Sequence, residues 1–268
     1  MVHRIAHLSD VHLVETRKTT GILTRLAQTT VSYDRPIEVE PRRQKLRAAL
    51  AHVKDRADHV VVSGDLTEVG SEAEYESFAE ILHDSGISPD TVTLVPGNHD
   101  VYVDAAGWKK ACEGPLSAFR GGAAGEHGRV VERGSVVFFP MDSTRDQFFL
   151  RSGGAVAIEA VTRIMDTLRG ASMRHKTVVV AMHHPPGLRS KNPVWQWFDG
   201  LVGCGKLLEL LGLHPRVHVL HGHRHTLLDR IAIAGKNRVF GATATVDDAV
   251  GAPRVRFYGL DDGVLVPA

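Results

Sequence analysis

The chain has 268 residues, 43% hydrophobic and 24% charged, a balance ordinary for a globular protein and long enough to bury a large core. Its 32 Lys and Arg against 31 Asp and Glu give a formal net charge of +1, so no global field draws it to nucleic acid or anionic lipid, and any anion must be held locally. Two cysteines without metal-ligand spacing, no signal-peptide pattern and no run of about 18 apolar residues set the expectation of a cytoplasmic protein with no disulfide framework and no transmembrane segment.

Along the chain, short β-branched runs alternate with helical patterns. RIAHLSD (4–10) reads as a buried strand, PRRQKLRAALAHVKDRA (41–57) as a helix opened by proline, and HVVVSGD (59–65) as a second strand. SEAEYESFAEILHDSG (71–86) is a helix with Ser71 and Glu74 at capping-box spacing and a stop at Gly86. TVTLVPG (91–97) and SVVFFPMD (135–142) are further strands, AVAIEAVTRIMDTLRG (155–170) a helix, TVVVAMHH (177–184) a strand, KLLELLG (206–212) a helix and VHVLHGH (217–223) a strand. The tail, RIAIAGKNRVFGATATV (230–246) and RVRFYGLDDGVLV (254–266), reads as strands joined by tight turns, with Asp261-Asp262-Gly263 a hairpin signal. No repeat or composition break divides the chain, so residues 1–268 are expected to form one α/β domain.

Nearly every polar cluster falls at the C-terminal end of a predicted strand, the edge where open α/β sheets bind ligands. These clusters are Asp10 with His12, Gly64-Asp65, Gly97-Asn98-His99-Asp100, His183-His184 and Gly222-His223-Arg224-His225. In HGHRH, the imidazoles of His221, His223 and His225 alternate and would crowd one face of an extended chain. Gathered together, the set offers carboxylates, an amide and imidazoles but no thiolate, which suits borderline ions such as Mn, Fe, Co or Zn. It holds too many ligands for one ion but enough for a pair sharing a carboxylate, roughly 3.5 to 4 Å apart. Two divalent ions offset by two carboxylates and one hydroxide would remain net positive and attract a phosphate oxygen.

The ordered series D-x-H, G-D, G-N-H-D, H and G-H-x-H, spanning residues 10 to 225, resembles the calcineurin-like metallophosphoesterases. The resemblance implies a four-layer α-β-β-α sandwich of two mixed β-sheets flanked by helices, and two divalent or mixed-valence ions. It further implies that Asp10, His12, Asp65 and His225 hold the first ion, and that Asp65 bridges to a second completed by Asn98, His183 and His223. His99 would stand beside the substrate, stabilising the transition state or protonating the departing oxygen, with Asp100 fixing its ring. His183 is chosen over His184 by comparison with relatives in which the first residue of such a pair binds metal. Gly222 would let the backbone pass close to the metals, and His221, outside the pattern, reads as a strand residue or an outer partner.

HLSDVHL, GDLTEVGSEAEY, GNHD and MHHPP are most similar to bacterial class III cyclic nucleotide phosphodiesterases and related phosphodiesterases, although the stretch from His12 to Gly64 is longer than that branch implies. The implied activity is hydrolysis of a P–O bond in a small-molecule phosphoester, nucleotides included, by in-line attack of a bridging hydroxide. Hydrolysis of a nucleotide-sugar pyrophosphate of the UDP-diacylglucosamine type is the rival within enzymes, but those relatives resemble G-N-R-D rather than GNHD. A non-catalytic scaffold should show eroded ligands, and this set is complete. GDLTEVG lacks the D-R-G continuation of protein serine/threonine phosphatases, Asp100 replaces their Glu, and Glu68 stands where many relatives carry Asp, at a position outside the metal shell. No basic surplus marks a nucleic-acid partner.

Residues 188–213, with Trp195, Trp197 and Phe198, are either a lid or cap over the site or a packing helix with its loop. Arg17, Lys18, Arg145, Arg189 and Arg224 are candidates to reach an anionic substrate or solvated charges. His3, His7 and His218 read as solvated or satisfied strand histidines, and Cys112 and Cys204 as inert.

Overall fold

Alternation along the central strands decides the layering. In the strand Val136–Pro140, Val136 and Phe138 join one apolar core while Val137 and Phe139 join another, and all four are buried. A strand buried on both faces must be covered twice, as sheets made of crossover units are. The structure, a computed structural model, describes residues 4–16, 21–32, 37–125, 129–146, 151–187, 191–231 and 238–268.

The elements run β1 (Ile5–Leu8), α1 (Ile22–Val31), α2 (Val39–Lys54), β2 (His59–Ser63), α3 (Glu72–Asp84), β3 (Val92–Val95), α4 (Gly107–Glu113), β4 (Val131–Arg133), β5 (Val136–Pro140) and β6 (Gly154–Ala155). They continue with α5 (Ile158–Leu168), β7 (Thr177–Ala181), α6 (Pro193–Asp199), β8 (Leu201–Val202), α7 (Gly205–Leu213), β9 (Val217–His221), β10 (Leu228–Ile231), β11 (Arg238–Gly241), β12 (Arg256–Asp261) and β13 (Val264–Pro267). The first sheet has the order β13-β12-β1-β2-β3, the second β10-β11-β9-β7-β5-β4, and β6 pairs with β8. In the first, β1, β2 and β3 are parallel and the C-terminal hairpin is antiparallel. In the second, β5, β7, β9 and β11 are parallel between antiparallel edge strands.

One core lies between the sheets, where Val179, Leu220 and Phe240 meet Ile5, Val61 and Tyr258. The other lies outside the second sheet, where Val178, Val180 and Val219 meet Ile164 of α5 and Leu207 and Leu211 of α7. This is the expected α-β-β-α arrangement of two mixed sheets. α3 begins with both halves of the Ser71/Glu74 capping box, and the hairpin between β12 and β13 turns through Asp262 (φ 44°) and Gly263 (φ 74°), the double left-handed turn that matches strand twist. No helix among the described residues is long and apolar enough to cross a membrane.

One local expectation fails. Within 230–246, strand ends at Gly241, and the stretch after it is spent on the site: the Thr245 and Val246 amides donate to the Ser9 and Asp10 carbonyls at 2.9 and 3.3 Å. Residues 232–237 lie outside the described residues. In the segment read as either a lid or a packing helix with its loop, α7 buries Leu207, Leu210 and Leu211, whereas Trp195 and Trp197 on α6 remain 60% and 56% exposed. Residues 188–190 of it, together with His3, Arg17, Lys18 and Arg189, lie outside the described residues.

Candidate metal centre

Parallel strands point their C-terminal ends the same way, so the loops after β1, β2 and β3 and those after β7 and β9 share one cleft. All seven predicted ligands meet there. His225 Nε2 lies 3.2 Å from Asp10 Oδ1, His183 Nε2 3.2 Å from Asp65 Oδ2, and His12 Nε2 3.7 Å from the same oxygen. His12 Nε2 and His225 Nε2 face each other at 3.3 Å, and His223 Nδ1 faces Asn98 Oδ1 at 3.2 Å. Ligand atoms around an ion bonded at about 2.1 Å stand about 3.0 to 3.4 Å apart, and most of these separations have that length. Donor atoms of Asp10, His12 and His225 lie within 4.8 Å of one another, as do those of Asp10, Asp65 and His183. His183 Nε2 is buried without a hydrogen bond, and the donors are nitrogen and oxygen throughout, so the residues fit a pair of borderline divalent cations.

The backbone carries the same message. Among the described residues, six non-glycine positions have positive φ, and five of them are Asp10 (53°), His12 (49°), Asp65 (50°), His223 (70°) and His225 (53°). A left-handed conformation costs an L-residue roughly 1 to 2 kcal/mol, so five together consume much of a typical stability of about 5 to 15 kcal/mol. Such strain survives only where surroundings over-determine it. Here the Val11 and His12 amides both donate to the Asp65 carbonyl at 2.8 Å, the His99 amide to Asp65 Oδ1 at 2.9 Å and the His223 amide to Asp10 Oδ1 at 3.1 Å.

Close backbone approach is the second device. A Cβ on Gly222 would overlap Ser9 Oγ and Asp10 Oδ2, and one on Gly97 would overlap the Asp65 carboxylate. Gly222→Ala is therefore expected to displace Asp10, weakening metal uptake and lowering stability by about 1 to 3 kcal/mol, the usual cost of overpacking. Thermal denaturation beside metal analysis checks this; unchanged values for both would show that the approach is not required.

Electrostatics point to a cation. Burial alone would raise Asp10 and lower His183, but their neighbours reverse both: His225 and His183 hold Asp10 below the usual carboxylate range, and Asp65 holds His183 up to about 9. Burial opposes it in Asp65 too, yet His183 and His99 hold that carboxylate well down. The pocket thus draws positive charge onto His183, and an ion taking that lone pair would release the proton.

Outer partners hold several donors. Glu68 lies outside the cluster of donor atoms; its carboxylate accepts from Arg42 and Ser32 at 2.6 Å each and stands 3.4 Å behind His12 Nδ1. Asn98 Nδ2 donates to Tyr102 Oη at 2.6 Å, which turns Oδ1 toward His223. His184, although near His183 and His223, has Nδ1 2.9 Å from Ser143 Oγ and Nε2 3.0 Å from the Ser152 carbonyl, so both ring nitrogens are engaged. His221 turns Nδ1 to the Gly222 carbonyl at 2.9 Å and stands outside the metal-ligating groups. His7 is satisfied by Ser63 Oγ at 2.7 Å, His218 by the Arg238 amide at 3.0 Å, and burial pushes the Cys112 thiol up to about 12.

The expectation that Asp100 fixes the ring of His99 is corrected. His99 Nδ1 lies 2.7 Å from the Glu68 carbonyl, and the Asp100 carboxylate accepts instead from the amides of Leu66, Thr67 and Gly97 and the Thr67 hydroxyl, between 2.7 and 3.1 Å. Asp100 ties the Asp65 loop to the Asn98 loop, a backbone task that a short buried carboxylate performs directly. Burial, then the Asp65 charge, raises it to about 7, against the pull of its donors. Sequence reasoning also passed over Asp199, whose Oδ1 stands 2.5 Å from His223 Nε2. No motif marks it, because it comes from α6 and meets His223 only through the fold.

The sequence pattern of the calcineurin-like phosphoesterases matches residues 3–227. Among solved structures, the chain is similar to a dimetal phosphatase from Danio rerio at 13% identity, covering 97% of this chain and 93% of that one with a TM-score of 0.69. It is also similar to the purple acid phosphatase PPD1 of yellow lupin, Lupinus luteus, at 14% identity, 98% and 50% coverage and a TM-score of 0.57. A third is the sulfate thiohydrolase SoxB of Thermus thermophilus, at 14% identity, 98% and 54% coverage and a TM-score of 0.52. The chain spans about half the length of the last two. No curated protein matches by sequence. With the family pattern running through the strand-end loops from Asp10 to His225, the chain belongs to the calcineurin-like phosphoesterases, a family of metal-dependent phosphoester hydrolases.

Proposed function

We propose that the chain is a dinuclear metal phosphodiesterase. The observation that carries the reading is the convergence of Asp10, His12, Asp65, His223 and His225 on strained left-handed backbone, with Asn98 and His183 completing the set. Asp10, His12, Asp65 and His225 would hold one ion, and Asp65, Asn98, His183 and His223 would hold the other, Asp65 serving both. When bound, the ions supply Lewis-acid charge and an activated water nucleophile.

The protein's own groups do the rest. With Nδ1–H donated to the Glu68 carbonyl, His99 has Nε2 left for the departing oxygen, to which it would give a proton as the imidazolium, and it stands edge-on to His12 at 4.5 Å between ring centroids. A diester carries two substituents, and room for one is supported by a cavity of about 360 Å³ lined by Pro185, Asp199, Arg224 and Arg230 beside His223. The similarity to a dimetal phosphatase fits the two-ion site, and the motif resemblance to phosphodiesterases favours diesters over monoesters.

Chelated protein is expected to be inactive and to recover on addition of Mn, Fe, Co or Zn, turning over bis(p-nitrophenyl) phosphate faster than p-nitrophenyl phosphate. Two bound ions with no hydrolysis would point to the scaffold. Preference for the monoester would make the chain a monoesterase.

A further inference from the structure

The two candidate ligands that face each other across the second ion position, Asn98 and His223, are both backed by one unit built from residues 151–152 and α6. His223 Nε2 lies 2.5 Å from Asp199 Oδ1, and Ser152 Oγ donates to that same oxygen at 2.9 Å. Tyr102, which orients Asn98, donates to the Arg151 carbonyl at 3.4 Å. Arg151 in turn caps α6, donating to the Trp197 carbonyl at 2.6 Å with its guanidinium 3.8 Å over the Trp197 ring. The Ser152 carbonyl engages His184 Nε2, which closes the far side of the group. None of these contacts reaches Asp10, His12 or His225.

We infer that Asp199 is a positioning residue for the second metal ion, holding His223 so that its Nδ1 lone pair faces Asn98 Oδ1 and linking that ion's affinity to the seating of α6. The chemistry follows from the acceptor-only carboxylate. Opposite Asp199, Nε2 must carry the proton, so Nδ1 presents its lone pair to the centre. A carboxylate behind a ligating imidazole also raises its basicity, and losing such a partner typically costs about 10- to 100-fold in metal affinity. The contacts are one-sided, so the effect falls on one of two sites.

The inference rests on the two-ion reading, and the test separates them. Chelated wild-type, Asp199→Asn and Asp199→Ala proteins are titrated with Mn²⁺ by calorimetry, and intrinsic fluorescence is followed because two of the chain's three tryptophans lie on α6. Wild type should take up two equivalents, the second changing the fluorescence. Asp199→Ala should weaken the second equivalent by about 10- to 100-fold and leave the first within about twofold, at an unchanged apo melting temperature. Asp199→Asn, which still accepts from Nε2–H, should fall between. Equal weakening of both equivalents, or no weakening of either, overturns the inference while the two-ion reading stands. Fewer than two equivalents in wild type overturns both.

Discussion

Asp65→Asn is expected to lose both metal ions and to lower kcat/KM by on the order of 10³-fold or more, the scale of removing charge fixed at a reacting centre. Asparagine keeps the volume and tolerates the left-handed backbone at φ 50°. It also keeps an oxygen to accept from the His99 amide. What it removes is the charge on Oδ2, where His183 Nε2 and His12 Nε2 approach at 3.2 and 3.7 Å. In place of an anion shared by two cations stands an amide group offering hydrogens to two imidazoles. Metal content of the purified variant, with near-ultraviolet circular dichroism as a folding control, checks the prediction. Two retained ions with activity within tenfold of wild type would take the bridging role away from Asp65.

His99→Ala is expected to behave differently, keeping both ions while kcat falls by about 10²- to 10⁴-fold, the range of a lost proton donor. The deficit should grow as the leaving group becomes a poorer one, because a good leaving group departs without needing a proton. His99 ranks among the groups that could hold an ion, since one of its nitrogens lies within 4.8 Å of donors on His12 and Asp65. Its Nδ1 contact with the Glu68 carbonyl nevertheless orients it from the peptide backbone rather than from a carboxylate. A leaving-group series measured beside metal content separates the roles: loss of an ion would reassign His99 as a ligand, and a deficit equal for all leaving groups would remove it from proton transfer.

The parts of this molecule legible in its sequence are those built from local pattern. Val136 to Phe139 and Val178 to Val180 read as buried strands because they are continuous apolar runs, and the ligands read as a set because each closes such a run. α1 lies outside the expected elements, and it is fastened by polar contacts. Ile22 and Leu26 are exposed, whereas buried Gln28 donates to the Glu15 carbonyl at 3.0 Å and to Glu74 at 2.8 Å, and Ser32 to Glu68 at 2.6 Å. The apolar residues Ile22, Leu23, Leu26, Ala27 and Val31 do recur at helical spacing, so the helix was legible in the sequence and was passed over; the polar contacts that hold it were not legible. The errors at the site have a related origin. Asp100 is adjacent to His99 in sequence but is turned by the 3₁₀ turn His99–Val101 toward the Thr67 loop, and Asp199 reaches His223 across 24 residues. The family resemblance implied the first pairing, and distance along the chain concealed the second. The left-handed dihedrals, which mark the site most sharply, leave only a weak signature in residue type: Asp and His enter that region more often than most residues, but too seldom for either to announce it.

The first sheet seats β1 between β2 and β12, with Ile5 opposite Tyr258, so the earliest strand is completed by nearly the last. β1 ends at Leu8 and β12 begins at Arg256; at about 5 to 20 residues per second of synthesis, roughly ten to fifty seconds separate the two. During that interval one edge of β1 stands open on the ribosome, a template for pairing with a neighbouring chain. A nascent polypeptide stalled just before Arg256 would carry all seven candidate metal ligands and still be prone to aggregate.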